Sequence, residues 1–74
     1  KMIEKAEEYI KELGITEVRV RYDDKNARIE IPSDQIQNFI NIYKREELID
    51  YFTNLGFKFI SLDLEGLISG KLNR

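Results

Sequence analysis

Ile3, Ala6, Ile10 and Leu13 recur at helical spacing, with Glu4, Glu7, Glu8, Lys11 and Glu12 filling the positions between them. The pattern predicts an amphipathic helix over residues 2–13. Gly14 supplies the left-handed residue that ends it, and Ile15 the apolar residue that folds back on the helix. Strict alternation follows in Glu17-Val18-Arg19-Val20-Arg21-Tyr22, which puts Val18, Val20 and Tyr22 on one face and Arg19 and Arg21 on the other. After the turn cluster Asp23-Asp24-Lys25-Asn26, alternation returns. Ala27, Ile29 and Ile31 share one face; Arg28 and Glu30 share the other. The two runs predict a β-hairpin.

Pro32 ends the second strand, and Ser33 is a candidate N-cap with Asp34 in the first turn. Ile36, Phe39, Ile40 and Tyr43 then describe a short helix. The helical phase drifts at residues 43–45, where a break is expected, and Leu48, Ile49, Phe52 and Leu55 describe another helix, closed by Gly56. A last strand runs over residues 57–64. The stretch Tyr9 to Val20 lies over Tyr51 to Leu62 as the same helix, Leu-Gly-apolar cap and strand. That overlay places Ile60, Leu62 and Leu64 toward the helices. Phe57, Phe59, Ser61 and Asp63 then share the arginine face. A right-handed crossover makes the last strand parallel to a hairpin strand. The expected fold is α+β: a two-layer sandwich in the order α-β-β-α-α-β, with a three-stranded sheet and helices on one face.

With 74 residues the chain is a single domain. A chain this short buries only about 60% of its unfolded surface. It has no Cys and no His, hence no disulfide and no Cys/His zinc site to reinforce a small core. The lack of Cys fits a reducing cytoplasm, and no apolar run or signal-peptide pattern points to a membrane or to export. The chain opens Lys1-Met2, which reads as an excised fragment, and the tail over residues 64–74 is expected to fray without a partner domain.

Helices cover one sheet face, so the other carries Arg19, Arg21, Arg28, Glu30, Phe59, Ser61 and Asp63. One reading is a solvated face of paired charges. The sharper one is a docking face. There, Arg19, Arg21 and Arg28 hold a phosphate or carboxylate, and Phe57, Phe59, Glu30 and Asp63 form an interface. Catalysis by these residues alone is disfavoured, since there is no His, no Cys and no Ser beside a base. Asp23 and Asp24 lack further ligands for a metal, and Gly66 and Gly70 do not form a phosphate-binding loop. A net charge of −2 and the acidic residues on the arginine face argue against nucleic acid.

Glu17-Val18-Arg19-Val20-Arg21-Tyr22, Ala27-Arg28-Ile29-Glu30-Ile31-Pro32 and Gly56-Phe57-Lys58-Phe59-Ile60-Ser61-Leu62-Asp63-Leu64-Glu65-Gly66, in that order and spacing, resemble the C-terminal domain of the LarE-type ATP-dependent sacrificial sulfur transferases, of the PP-loop pyrophosphatase superfamily. Ile3-Glu4-Lys5-Ala6-Glu7-Glu8 also fits the pattern. The resemblance implies a non-catalytic accessory domain that helps oligomerise the enzyme and lends basic residues to the substrate or phosphate region. By motif position Arg19, Arg21 and Arg28 carry that role. It also implies an N-terminal PP-loop domain in the same protein, which uses ATP and Mg. The sequence departs from the family pattern at Asp23-Asp24, where many members have His-Gly, and at Ile68, which replaces an arginine. The alternatives are a stand-alone protein-interaction or oligomerisation module and a small RNA-binding domain with Arg and Phe on a sheet.

Overall fold

The computed structural model describes residues 1–68. Helix α1 spans Met2–Glu12, strand β1 Arg19–Asp23 and strand β2 Asn26–Glu30. A single 3₁₀ turn at Ser33–Gln35 leads into α2 (Ile36–Ile42), α3 (Arg45–Leu55) and β3 (Phe59–Leu62). The sheet has three strands in the order β1-β2-β3, antiparallel in the hairpin and parallel between β2 and β3. The fold is the α+β arrangement that the periodicity predicts.

The hairpin turn is tighter than the four-residue cluster expected from sequence. Asp23 pairs with Asn26, and only Asp24 and Lys25 lie between them. Both carry positive φ, +51° and +69°, which suits the right-handed twist of the flanking strands. Ser33 does not act as an N-cap. Its side chain makes no capping bond; the chain passes through the 3₁₀ turn, and α2 starts at Ile36. The break after α2 falls where the phase drifts, with Tyr43 and Lys44 extended at ψ 151° and 107°.

The core lies between the sheet and the helices. α1 contributes Ala6 and Ile10, the hairpin Val20, Ala27 and Ile29, and α2 and α3 contribute Phe39, Leu48 and Phe52. Ile15 is fully buried below the Gly14 cap, as expected. Ile60 and Leu62 pack against this core from β3.

Phe57 is a correction. The period-two reading put it on the arginine face, but it is 2% exposed and sits in the core. The cause is the end of α3. Gly56 has φ +119°, its N–H bonds to Thr53 O at 3.0 Å, and the Phe57 N–H bonds back to Phe52 O at 3.2 Å. This cap draws the residue after the glycine onto the last helical turn. The Phe57 ring lies 5.7 Å from Phe52, and Tyr22 meets it edge-on at 5.5 Å. Alternation starts only at Phe59, and β3 is four residues long, shorter than the predicted 57–64. Leu64, expected to face the helices, is 80% exposed, because the strand has ended before it.

Beyond β3 the Asp63 N–H still bonds to Ile29 O at 2.9 Å, and Asp63 Oδ1 accepts the Glu65 N–H at 2.9 Å. Gly66 turns with φ +84°, and the Leu67 N–H bonds to Ile31 O at 2.8 Å. The segment through Leu67 is thereby tied to the end of the hairpin. The rest of the expected tail, residues 69–74, lies outside the described residues.

Candidate functional site: the arginine face of the sheet

The strand register assembles the face opposite the helices. Arg19 pairs with Glu30, Arg21 with Arg28 and Asp23 with Asn26. Across the parallel pair, Asn26 meets Phe59 and Arg28 meets Ser61. Since side chains alternate, these residues share one surface. Phe59 is 65% exposed on it.

Glu30 organises this face. Its Oε1 accepts from Arg21 Nε at 3.1 Å and its Oε2 from Arg28 Nε at 3.2 Å. The two guanidinium groups cover it, leaving Glu30 3% exposed. It was expected as an interface residue and is instead buried beneath its partners. A carboxylate survives burial when opposite charges and hydrogen bonds engage both oxygens, as here. Arg28 also stands 3.8 Å from Asp63 Oδ2 and 4.0 Å from Asp23 Oδ2. Asn26 Nδ2 donates to Ser61 Oγ at 3.1 Å, linking β2 to β3 on the same face.

The expected convergence of three arginines on one oxyanion is therefore changed in detail. Arg21 and Arg28 converge, but on Glu30. Each uses its Nε, and the Arg21 side chain stays half-exposed. Arg19 is exposed and makes no ion pair among the described residues. Asp23, Glu30 and Asp63 lie against Arg28 and offset the arginine charge on this face. Among the described residues no group of three or more His, Cys, Asp or Glu side chains is placed to hold a metal ion, and no helix is long and apolar enough to cross a membrane.

Two contacts escaped the sequence reading. One is the Asn26–Ser61 pair, which depends on the parallel register. The other is Glu7, whose Oε2 accepts the Val20 N–H at 3.0 Å. A signal for Glu7 was present: it stands four residues after Ile3 and three before Ile10, within the apolar stripe of α1.

The chain is 50% identical over 70 residues to an uncharacterised protein of Synechocystis, covering 95% of this chain and 26% of that protein. It is 40% identical over 68 residues to the pyridinium-3,5-bisthiocarboxylic acid mononucleotide synthase of Lactiplantibacillus plantarum, covering 92% of this chain and 24% of the synthase. No family model matches the chain. The chain is thus related, over nearly all its length, to a segment of a LarE-type synthase. It spans about a quarter of the length of these relatives.

Proposed function

We propose that this chain is the non-catalytic C-terminal domain of a LarE-like, ATP-dependent sulfur transferase. On this reading it supports the substrate or phosphate region of an N-terminal PP-loop domain in the same protein and contributes to self-association. The observation that carries the reading is the 40% identity with the bisthiocarboxylic acid mononucleotide synthase over 92% of the chain. The geometry of the arginine face supports it. Glu30 fixes Arg21 and Arg28 through Nε, so both guanidinium groups are held in place before a ligand arrives. Arg19, directly across from Glu30 in the register, adds a further exposed cation. Planar, fixed guanidinium groups suit phosphate and carboxylate oxygens better than flexible ammonium groups do. ATP and Mg would be held by the N-terminal domain, and the cytoplasm would be the site of action.

The test uses the full-length protein. Replacing Arg19→Ala together with Arg21→Ala should weaken binding of phosphate or a nucleotide ligand about tenfold or more, measured by calorimetry. Unchanged affinity would reduce the face to a structural role. The coding sequence before Lys1 gives a second check: a gene with no PP-loop domain there ends the reading.

The exposure of Phe59, beside Asn26 on the open face, favours a second reading, in which the domain is a protein-interaction module. Phe59→Ala would then abolish association with a protein partner and leave anion binding intact.

A further inference from the structure

Arg28 faces three carboxylates at once: Glu30 at 3.2 Å, Asp63 at 3.8 Å and Asp23 at 4.0 Å. The three are not equivalent. Glu30 is shared with Arg21, and the two guanidinium groups engage both of its oxygens. Asp23 ends β1 at the hairpin turn with its side chain 72% exposed, where water and salt screen its charge. The Asp63 side chain is 15% exposed, so its field on Arg28 is the less screened of the two that remain. At 3.8 Å this contact is longer than a hydrogen bond. It holds by charge, and an arriving anion competes with it on the same terms.

The same carboxylate shapes the segment after β3. Asp63 Oδ1 accepts the Glu65 N–H at 2.9 Å, while Oδ2 is the oxygen turned toward Arg28. The Asp63 N–H bonds to Ile29 O at 2.9 Å, the Gly66 N–H to Asp63 O at 3.0 Å, and the Leu67 N–H to Ile31 O at 2.8 Å. At Gly66 a Cβ would stand only 2.6 Å from Ile31 O. Residues 63–67 thus form a short strap seated on the end of the hairpin. One oxygen of its first side chain closes the turn of the strap; the other meets the arginine face.

We infer that Asp63 is a built-in competitor for the anion at the arginine face, so that ligand binding and seating of the strap oppose each other through this one side chain. An oxyanion taken up by Arg28 brings negative charge against Asp63 Oδ2. Turning the carboxylate away relieves the repulsion and gives up the bond from Oδ1 to the Glu65 N–H, which loosens the strap. The coupling is reciprocal: a seated strap lowers the affinity for the anion by the factor by which the anion unseats the strap. The inference rests on the arginine part of the reading above and names what regulates that site.

The experiment titrates inorganic phosphate by calorimetry into the full-length protein, as wild type, Asp63→Asn and Asp23→Asn. The binding counted is the part that Arg19→Ala with Arg21→Ala removes. Asparagine keeps an oxygen for the Glu65 N–H and deletes the charge. Asp63→Asn should bind phosphate about threefold to tenfold more tightly than wild type, and Asp23→Asn within about twofold of it. Amide hydrogen exchange reads the strap: saturating phosphate should speed exchange at Leu67 in the wild type and leave it unchanged in Asp63→Asn. Circular dichroism establishes that both variants are folded. Equal affinity in wild type and Asp63→Asn overturns the competition and leaves the arginine reading standing. Tighter binding to Asp63→Asn with no change at Leu67 in the wild type overturns the link to the strap. An equal gain in Asp23→Asn makes Asp63 one of two interchangeable surface charges, and also overturns the inference. Absence of phosphate binding in all three proteins overturns it together with the arginine reading.

Discussion

Glu30 and Arg28 stand two residues apart on one strand, and Arg28 Nε reaches back to Glu30 Oε2 at 3.2 Å. Neighbours at that spacing share a sheet face but lie far enough apart that only long side chains meet. Arg21, on the adjacent strand, closes the same carboxylate from the other side at 3.1 Å. A charge that is buried and fully engaged becomes part of the scaffold, and the arginines become the part that faces outward.

Glu30→Ala should therefore cost more than loss of either arginine. The substitution leaves two guanidinium groups to resolvate and an empty site between β1 and β2. A loss of about 1–3 kcal/mol is expected from urea denaturation. Arg21→Ala should cost about 1 kcal/mol or less, since its side chain is half-exposed and its contact is screened by water. An Arg21 cost that matched the Glu30 cost would contradict this division.

Phe57 and Phe59 should separate sharply. Phe57→Ala empties a core position packed on Phe52 and Tyr22, at a cost of about 3–5 kcal/mol. A core this small rarely supplies more than about 3–5 kcal/mol in total, so the variant should be largely unfolded at room temperature. Phe59→Ala, 65% exposed, should leave the thermal midpoint within a few degrees of wild type. Similar midpoints for the two variants would refute the placement of Phe57 in the core.

Among the described glycines, Gly66 is the one at which a side chain has least room. At φ +84°, a Cβ there would stand 2.6 Å from Ile31 O and 3.0 Å from Ser33 N. Gly14, at φ +111°, has nothing within 4 Å of that position. Gly14→Ala should therefore cost about 1 kcal/mol from backbone strain alone. Gly66→Ala should cost more and should release the Leu67 N–H from Ile31 O, seen as faster exchange of the Leu67 amide. An unchanged Leu67 rate would mean that this contact survives the added methyl group.

Tyr9 gives the domain an alkaline limit. It stacks on Tyr51 at 4.8 Å and meets Phe52 edge-on at 6.2 Å. Burial raises its phenol above the ordinary value of 10.0, and the Glu47 carboxylate adds to the rise. The folded state thus holds the phenolic proton more tightly than the unfolded chain does. The associated stability is complete below pH 10.0 and is lost as pH climbs through the raised value. Ultraviolet titration, with Tyr9→Phe to identify the signal, should show Tyr9 titrating above 10.0. Glu47→Gln should bring it part of the way back. If Tyr9 titrated at the ordinary value of 10.0, its burial would be refuted.

Much of this architecture was legible in the chain. The spacing of Ile3, Ala6 and Ile10, the alternation around Val18 and Val20, and the glycines at positions 14 and 56 mark elements whose causes are local. A helix face repeats within a turn or two, and a left-handed cap follows from the one residue type that adopts it freely. Even the error at Phe57 had its remedy in the overlay of the two Leu-Gly caps. Ile15 follows Gly14 into the core, and Phe57 follows Gly56 in the same way. The cap takes precedence because strand parity begins only where strand pairing begins.

The candidate site divides along the same line. Alternation alone placed Arg19, Arg21, Arg28 and Glu30 on one face. It left open which of them would face water and which would be covered. That depended on the hairpin register, which brings Arg21 beside Arg28, and on the parallel register, which sets Ser61 against Arg28 from 33 positions away in the chain. The Glu7–Val20 bond likewise depends on how α1 is laid against the sheet edge. By itself the sequence determined the elements, their order and the polarity of their faces, because short-range periodicity encodes these. Only the tertiary structure decided that Glu30 is buried, that Phe57 is core and that Glu7 takes the Val20 N–H at the sheet edge. Those outcomes depend on side chains distant in sequence meeting at a few ångströms, and no local pattern records that distance.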